Sequence, residues 1–274
     1  MLNISRIKGK KICMIIGDPV EHSLSPKMHN TAYSFLGIDD EYFFISSNVK
    51  SESLKNTIEA LKVLNIRGIT CTIPHKQNVI KYLDELDDIA KKIGAVNTII
   101  NENGILRGYN TDWLGVKIPL EKLVDVKSKK VALIGASGAG QAVAYAIKKM
   151  GGELFIFNRT YEKAEKMAKK FNCEAYDIKS YEKIKKCDII INSTSVGMGK
   201  MEGQSPIPLD IINKDHIVFD IVYKPKETEL IKRALEVGAK VIYGYEMLLY
   251  QGIAQFELYT KCKAPEKIML EILL

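Results

Sequence analysis

Residues 131–159 read VALIGASGAGQAVAYAIKKMGGELFIFNR. The apolar run Val131–Ile134 reads as a buried strand, Gly135–Gly140 as a glycine turn, Gln141–Met150 as a helix and Leu154–Phe157 as a second strand. Strand, glycine turn, helix and strand in about 30 residues make the βαβ unit of a parallel sheet. Glycines at such a turn let main-chain amides approach a pyrophosphate, whose charge meets the positive end of the helix. Gly135, Ala136, Ser137, Gly138, Ala139 and Gly140 are therefore candidate phosphate-binding positions, and a tight turn alone is the competing explanation. The dinucleotide fingerprint wants glycine third among these six, where Ser137 stands. The second strand ends in Asn158-Arg159-Thr160. An NAD-specific site would carry an acid there for the ribose 2′-hydroxyl, whereas Arg159 offers a planar fork for a 2′-phosphate. Lys163, one helical turn on, adds charge. NADP is expected rather than NAD.

The alternation extends both ways. Downstream the pattern predicts helices at Tyr161–Phe171 and Glu229–Val237 and strands at Ile189–Asn192, Val218–Ile221 and Lys240–Ile242. Upstream it predicts strands at Lys11–Ile16, Glu41–Ile45, Gly68–Thr72 and Asn97–Asn101, with helices at Lys27–Leu36, Ser51–Leu64 and Tyr82–Ile93. The lysine-rich stretch Asp125–Lys130 reads as a hinge before the second series. The tail from Glu246 reads as two helices, broken near Lys263–Pro265, that return to cover the first domain. The expected fold is α/β with two domains. One is an N-terminal domain with a mostly parallel sheet, 1–111 plus 244–274, and the other a Rossmann-like nucleotide-binding domain, 112–243.

Composition narrows the function classes. The 274 residues are 46% hydrophobic and 27% charged, with eight prolines. No apolar run approaches the roughly 20 residues that span a bilayer, and Ile12–Ile16 is too short for a signal-peptide core, so the cytoplasm is expected. Five scattered cysteines never form a C-x-x-C pair and read as free thiols; no metal spacing is present. The formal charge of +7 is spread over most predicted helices, which suits an anionic small molecule and not a nucleic acid. Oligomeric state is not legible, and a homodimer is compatible with the chain.

Other polar clusters stand at element ends. Gly17–Asn30 reads GDPVEHSLSPKMHN, where Ser25 reads as the N-cap of a helix beginning at Pro26. Ser23 and Ser25, one residue apart, can point two hydroxyls at a small carboxylate. In Thr70-Cys71-Thr72-Ile73-Pro74-His75-Lys76, Pro74 reads as a helix start that holds Lys76 in the first turn, where a cation is misplaced. Such a broken rule points to function, against the plain alternative of a surface lysine. Asn97 in GAVNT and Asp112 in GYNTD add an amide and a carboxylate, a set suited to a polyhydroxylated ring. Asn192–Met198, NSTSVGM, could run along the far end of a dinucleotide or be an ordinary polar loop.

Taken in order, SLSPKMHN, TIPHK, GAVNT, GYNTD, the glycine loop, NRT, NSTSVGM, DIVYKP and GYEMLLYQG resemble the shikimate dehydrogenase family over nearly the whole chain. The resemblance implies NADPH-dependent, reversible reduction of 3-dehydroshikimate to shikimate in aromatic amino-acid biosynthesis. It implies Lys76 and Asp112 as catalytic pair, an ammonium being able to supply the proton an alkoxide needs. It also implies substrate contacts from Ser23, Ser25, Thr72, Asn97, Tyr223 and Gln251, and cofactor contacts from Thr194, Val222, Gly244 and Met247. Ser137 departs from the family's glycine and is expected to weaken or reshape pyrophosphate binding. The rivals are a quinate/shikimate dehydrogenase of broader substrate and cofactor range, and a non-catalytic NADP and ring-acid sensor on the same fold.

Overall fold

The computed structural model describes residues 9–274. Met1–Lys8, which open the first expected domain, lie outside the described residues. The chain divides into two compact units, one of the described residues up to Thr111 with Gln251–Leu274, the other Asp112–Tyr250.

In the first unit the order is β1 (Lys11–Gly17), α1 (Ser25–Phe35), β2 (Tyr42–Asn48), α2 (Leu54–Val63), β3 (Gly68–Cys71), β4 (Glu85–Leu86), α3 (Asp88–Ile93), β5 (Thr98–Glu102) and β6 (Ile105–Tyr109). Its sheet runs β2-β1-β3-β5-β6-β4. β2, β1 and β3 are parallel, while β5 runs antiparallel to β3 and to β6. β1 is buried almost throughout because both faces of the sheet are covered. On one face Met14, Ile16, Ile69 and Ile99 pack on Leu54, Ile58 and Leu61 of α2.

The second unit contains α4 (Asp112–Leu123), β7 (Lys130–Ile134), α5 (Gly138–Lys149), β8 (Glu153–Asn158), α6 (Tyr161–Phe171), β9 (Glu174–Asp177), α7 (Tyr181–Ile184), β10 (Ile189–Asn192), β11 (Ile217–Asp220), α8 (Glu229–Glu236) and β12 (Lys240–Ile242). Its sheet, β12-β11-β10-β7-β8-β9, is parallel in every pairing. Alternation along each strand divides the core: Val131 and Leu133 face the cluster with Val143, Ile147 and Ala164, while Ala132 and Ile134 face Leu230 and Ile231. The chain then enters α9 (Gly244–Thr260), counted with the second unit to Tyr250 and with the first from Gln251, and ends in α10 (Glu266–Glu271).

Several boundaries differ from expectation for local reasons. The predicted helix Tyr82–Ile93 is a 3-10 turn at Asn78–Tyr82, the short β4, and α3. Asp87 restarts the chain as a cap, its carboxylate accepting from the amides of Ile89 and Ala90 at 2.9 and 3.1 Å. β6 and β9 were absent from the sequence reading, and neither is an apolar run; each is held by pairing to a neighbour. Asp125–Lys130 is no hinge: it follows α4 inside the second unit, with Val126 in that unit's core. Ser25 is the first helical residue rather than the cap, and its amide donates to the Ser23 hydroxyl at 3.3 Å. Cys13, Cys71 and Cys187 are buried free thiols, and burial pushes each up to about 12.

His29 on α1 is fully buried among aromatic rings, stacked on Phe44 with ring centroids 4.5 Å apart and planes 10° apart. Neither ring nitrogen has a hydrogen-bond partner among the described residues, and burial holds the imidazole down at about 3. The unfolded chain takes up a proton near 6.5, so native stability falls as pH drops below that value. The His29→Phe variant should lack this loss. Urea unfolding between pH 6.5 and 4 should show wild type losing about 1.4 kcal/mol more per pH unit than the variant.

Candidate active site

Strand direction gathers the polar residues of the first unit on one sheet edge. β1 and β3 end there, at Gly17 and Cys71; β5, antiparallel, begins there just after Asn97; β6 ends there before Asn110 and Thr111. The loops are tied together by main-chain bonds: Asp18 N–H to the Ile73 carbonyl at 2.9 Å, Cys71 N–H to that of Asn97 at 2.8 Å, and Val96 N–H to that of Lys76 at 2.7 Å. Gly17 is required for this approach, since a Cβ would lie 2.3 Å from Thr72 Cγ2.

Ser23, Ser25, Thr72, Lys76, Asn97 and Gln251 thus share one unit, and all but Gln251 belong to this edge. Gln251 joins through Asn97, whose Nδ2 donates to its Oε1 at 3.3 Å. Lys76 is half-buried and stands in the turn before the 3-10 segment, not in a helical first turn, so the argument from a misplaced cation falls. Its main-chain carbonyl, accepting from Val96 N–H, ties this turn to the loop before β5. Asp112 begins α4 and Tyr223 follows β11, both in the second unit; Asp112 is buried and Tyr223 half-buried.

The second unit presents the C-terminal ends of its parallel strands in the same manner. Connections leave β7 and β10 toward opposite sides of the sheet, so a crevice opens between their ends. Gly135, with φ +105°, turns the chain there, where a Cβ would lie 2.8 Å from Ser193 Oγ. Gly140 packs equally close, its missing Cβ 2.6 Å from the Gly135 carbonyl oxygen. Between them Ala136, Ser137, Gly138 and Ala139 open α5. Ser137 has φ −92° and ψ −179°, extended backbone that needs no glycine, and it caps the helix by accepting from Gly140 N–H at 3.2 Å. At the end of β8 the Asn158 carboxamide accepts from Ala136 N–H at 3.2 Å and donates to the Thr160 carbonyl at 2.8 Å. Arg159 and Lys163 are exposed beside it, and Arg159 makes no ion pair with another described residue.

Residues 15–99 match the family model described as the shikimate dehydrogenase substrate binding domain, and 117–221 that of shikimate / quinate 5-dehydrogenase. Residues 244–274 match the shikimate 5'-dehydrogenase C-terminal domain. The chain belongs to the shikimate dehydrogenase family. A shikimate dehydrogenase (NADP(+)) of Dehalococcoides mccartyi is 43% identical, the match covering 94% of this chain and 93% of that one. The crystal structure of shikimate dehydrogenase from Aquifex aeolicus superposes with a TM-score of 0.91 at 41% identity, covering 100% of this chain and 99% of the other. That of shikimate 5-dehydrogenase from Thermus thermophilus, in complex with NADP(H) and shikimate, gives 0.88 at 33% identity, covering 96% and 98%. The α/β fold with two sheets and a Rossmann-like domain is thus that of the family.

The nucleotide edge has a buried organiser that the sequence reading missed. Asp220, at the end of β11, accepts from Asn192 Nδ2 at 2.9 Å, Val222 N–H at 3.0 Å and the Thr228 hydroxyl at 2.7 Å. Asn192 in turn accepts from the amide and hydroxyl of Thr194 at 3.0 and 2.7 Å. One carboxylate therefore shapes the loops carrying Thr194, Val222 and Tyr223. Gly244 lets the start of α9 approach, as a Cβ there would fall 2.3 Å from the Val222 carbonyl oxygen, and Met247 lies in the core with Phe219. The signal was an acid closing an apolar strand, Ile217–Asp220, which a surface acid would not do.

Burial pushes the Asp220 carboxyl up to about 6, against the bonds from Thr228, Val222 and Asn192. The native state then holds a proton that the unfolded chain releases near 3.8, so this group lowers stability as pH rises through that window. The Asp220→Asn variant removes the effect. Relative to wild type, its urea-unfolding free energy should improve by up to about 3 kcal/mol between pH 4 and pH 7.

Proposed function

We infer that this chain is an NADP-dependent shikimate dehydrogenase, an oxidoreductase acting on a CH–OH group that interconverts 3-dehydroshikimate and shikimate in aromatic amino-acid biosynthesis. The observation that carries this reading is one strand edge bearing two serines, Thr72, Lys76 and Asn97, in a chain whose other sheet ends in a glycine turn beside Asn158-Arg159-Thr160. The relatives named above and the complex with NADP(H) and shikimate support it. Residues 1–111 with 244–274 form the substrate-binding and catalytic domain and 112–243 the NADP-binding domain. The enzyme works in the cytoplasm.

The residues present fit the cofactor: Gly135, with φ +105°, turns the chain from the end of β7 into the N-terminus of α5, a place suited to a pyrophosphate, and Arg159 is an exposed fork at the 2′-phosphate position. When bound, NADPH supplies the hydride for the ketone. Lys76, as ammonium, donates the proton to the alkoxide oxygen that hydride addition creates. Asp112 accepts a hydrogen bond from a ring hydroxyl and orients it for that transfer. Ser23 and Ser25 donate to the substrate carboxylate; the Ser23 oxygen accepts from Ser25 N–H and keeps its own proton to give. Thr72, Asn97 and Gln251 hold ring hydroxyls, with Tyr223 at the carboxylate end. Ala136, Ser137, Gly138 and Ala139 line the pyrophosphate turn; Thr160 and Lys163 flank the 2′-phosphate, and Thr194, Val222, Gly244 and Met247 border the nicotinamide half. A second reading, that quinate is also accepted, draws on the shikimate / quinate description of the middle match.

Steady-state assays of NADP reduction with shikimate, quinate and NAD test the assignment, and absence of turnover with tight ligand binding would favour a sensor. Lys76→Ala should lower kcat by about 10²- to 10⁴-fold while NADPH binding, measured by fluorescence titration, stays intact. Arg159→Ala should raise KM for NADP at least about tenfold and leave KM for NAD nearly unchanged. Wild-type kcat in the lysine variant, or equal shifts with both cofactors, would remove those roles.

A further inference from the structure

Resting on the substrate assignment above, we propose that Asn48, the last residue of β2, is a positioning residue of the substrate site, its carboxamide holding the turn that presents Ser23 to the substrate carboxylate. The turn is short and runs over the surface. Val20 opens it, and its carbonyl accepts from Ser23 N–H at 3.0 Å, the i to i+3 bond of a β-turn. Ser23 then accepts at its hydroxyl oxygen from Ser25 N–H, so the two serines are already linked to each other. What this pair lacks is a tie to the sheet.

Asn48 supplies it. Its Oδ1 accepts from Val20 N–H at 2.8 Å, and its Nδ2 donates to Glu21 Oε1. A main-chain N–H only donates and a carboxylate only accepts, so these partners fix which end of the carboxamide faces which group. Apart from the bond between the two serines, residues 19–23 reach another element, among the described residues, only through Asn48. Val20 is buried, but apolar packing has no direction and does not aim a main-chain N–H. The tie therefore runs from Asn48 to Val20, from Val20 to Ser23, and from Ser23 to Ser25.

Ser25 is referred to the same strand by a second asparagine. Asn30, further along α1, donates from Nδ2 to the Phe44 carbonyl and accepts at Oδ1 from Phe44 N–H, both at 2.8 Å. The edge strand β2 thus sets the helix that begins at Ser25 through its middle, and the turn bearing Ser23 through its end. Asn48 itself is exposed, a place where replacing a side chain is ordinarily silent. A selective loss on removing it would therefore report what it holds.

The test compares Asn48→Ala with the double variant Asn48→Asp and Glu21→Gln. The double variant exchanges the two groups, keeping the acceptor for Val20, a donor between the two side chains and the net charge of the turn. Asn48→Ala should raise KM for shikimate about tenfold, with kcat and KM for NADP within about twofold of wild type. The double variant should stay within about threefold of wild type in all three. The Val20 and Ser23 amide protons, followed by NMR hydrogen exchange, should lose protection in Asn48→Ala and keep it in the double variant. If Asn48→Ala does not fold, Asn48→Ser, too short to reach Val20, takes its place with the same expectation. An unchanged shikimate KM in the folded variant, an equal rise for both substrates, or a double variant as impaired as the alanine one would overturn the proposal. A wild type that does not oxidise shikimate would instead sink the substrate assignment, and the exchange experiment would still decide whether Asn48 holds the turn.

Discussion

Parallel strand pairing is the constraint on which both halves of this molecule depend. When neighbouring strands run the same way, every loop leaving a strand end emerges on one edge of the sheet. In the second unit this brings the turn at Gly135, the Asn158-Arg159-Thr160 corner and the loops after Asn192 and Asp220 to a common edge. In the first unit the rule holds for β1, β3 and β6, which end at this edge, and the antiparallel β5 completes it by beginning there. A chain of this design collects residues far apart in sequence without long excursions.

Each edge is then held by one buried polar group. Asn97 does this in the first unit and Asp220 in the second, both at most 1% exposed. A buried polar group must find partners or be costly, so each takes a main-chain donor from a loop at its edge. Thr111 N–H and Val222 N–H are such donors. Rigid loops are the result, and the groups they carry are those assigned to the ring and the nucleotide.

The organisation was legible where physical rules are local. The βαβ unit at 131–159 was readable because a buried strand, a glycine turn and a helix each have their own composition. Ser137 shows the limit: the sequence shows a departure from glycine, but not that the backbone there is extended and that the hydroxyl caps α5. Lys76 failed in the opposite way, since Pro74 suggested a helix start where the chain makes a turn. A main-chain tie to its turn comes from Val96, in a loop after another helix, and no spacing rule near Lys76 reports that.

By itself the sequence determined the α/β alternation, the two sheets, the glycine turn after β7, the basic corner after β8 and the return of the C-terminal helices. These follow from periodicity, glycine placement and charge, all properties of short stretches. Only the tertiary structure decided β4, β6 and β9, which exist by pairing rather than by propensity. It alone also decided that Thr98, Thr111 and Gln255 converge on Asn97, and that Asn192 and Thr228 converge on Asp220. A hydrogen bond between residues more than a hundred positions apart leaves no trace in local composition; it exists because strands and helices are stacked in one particular register.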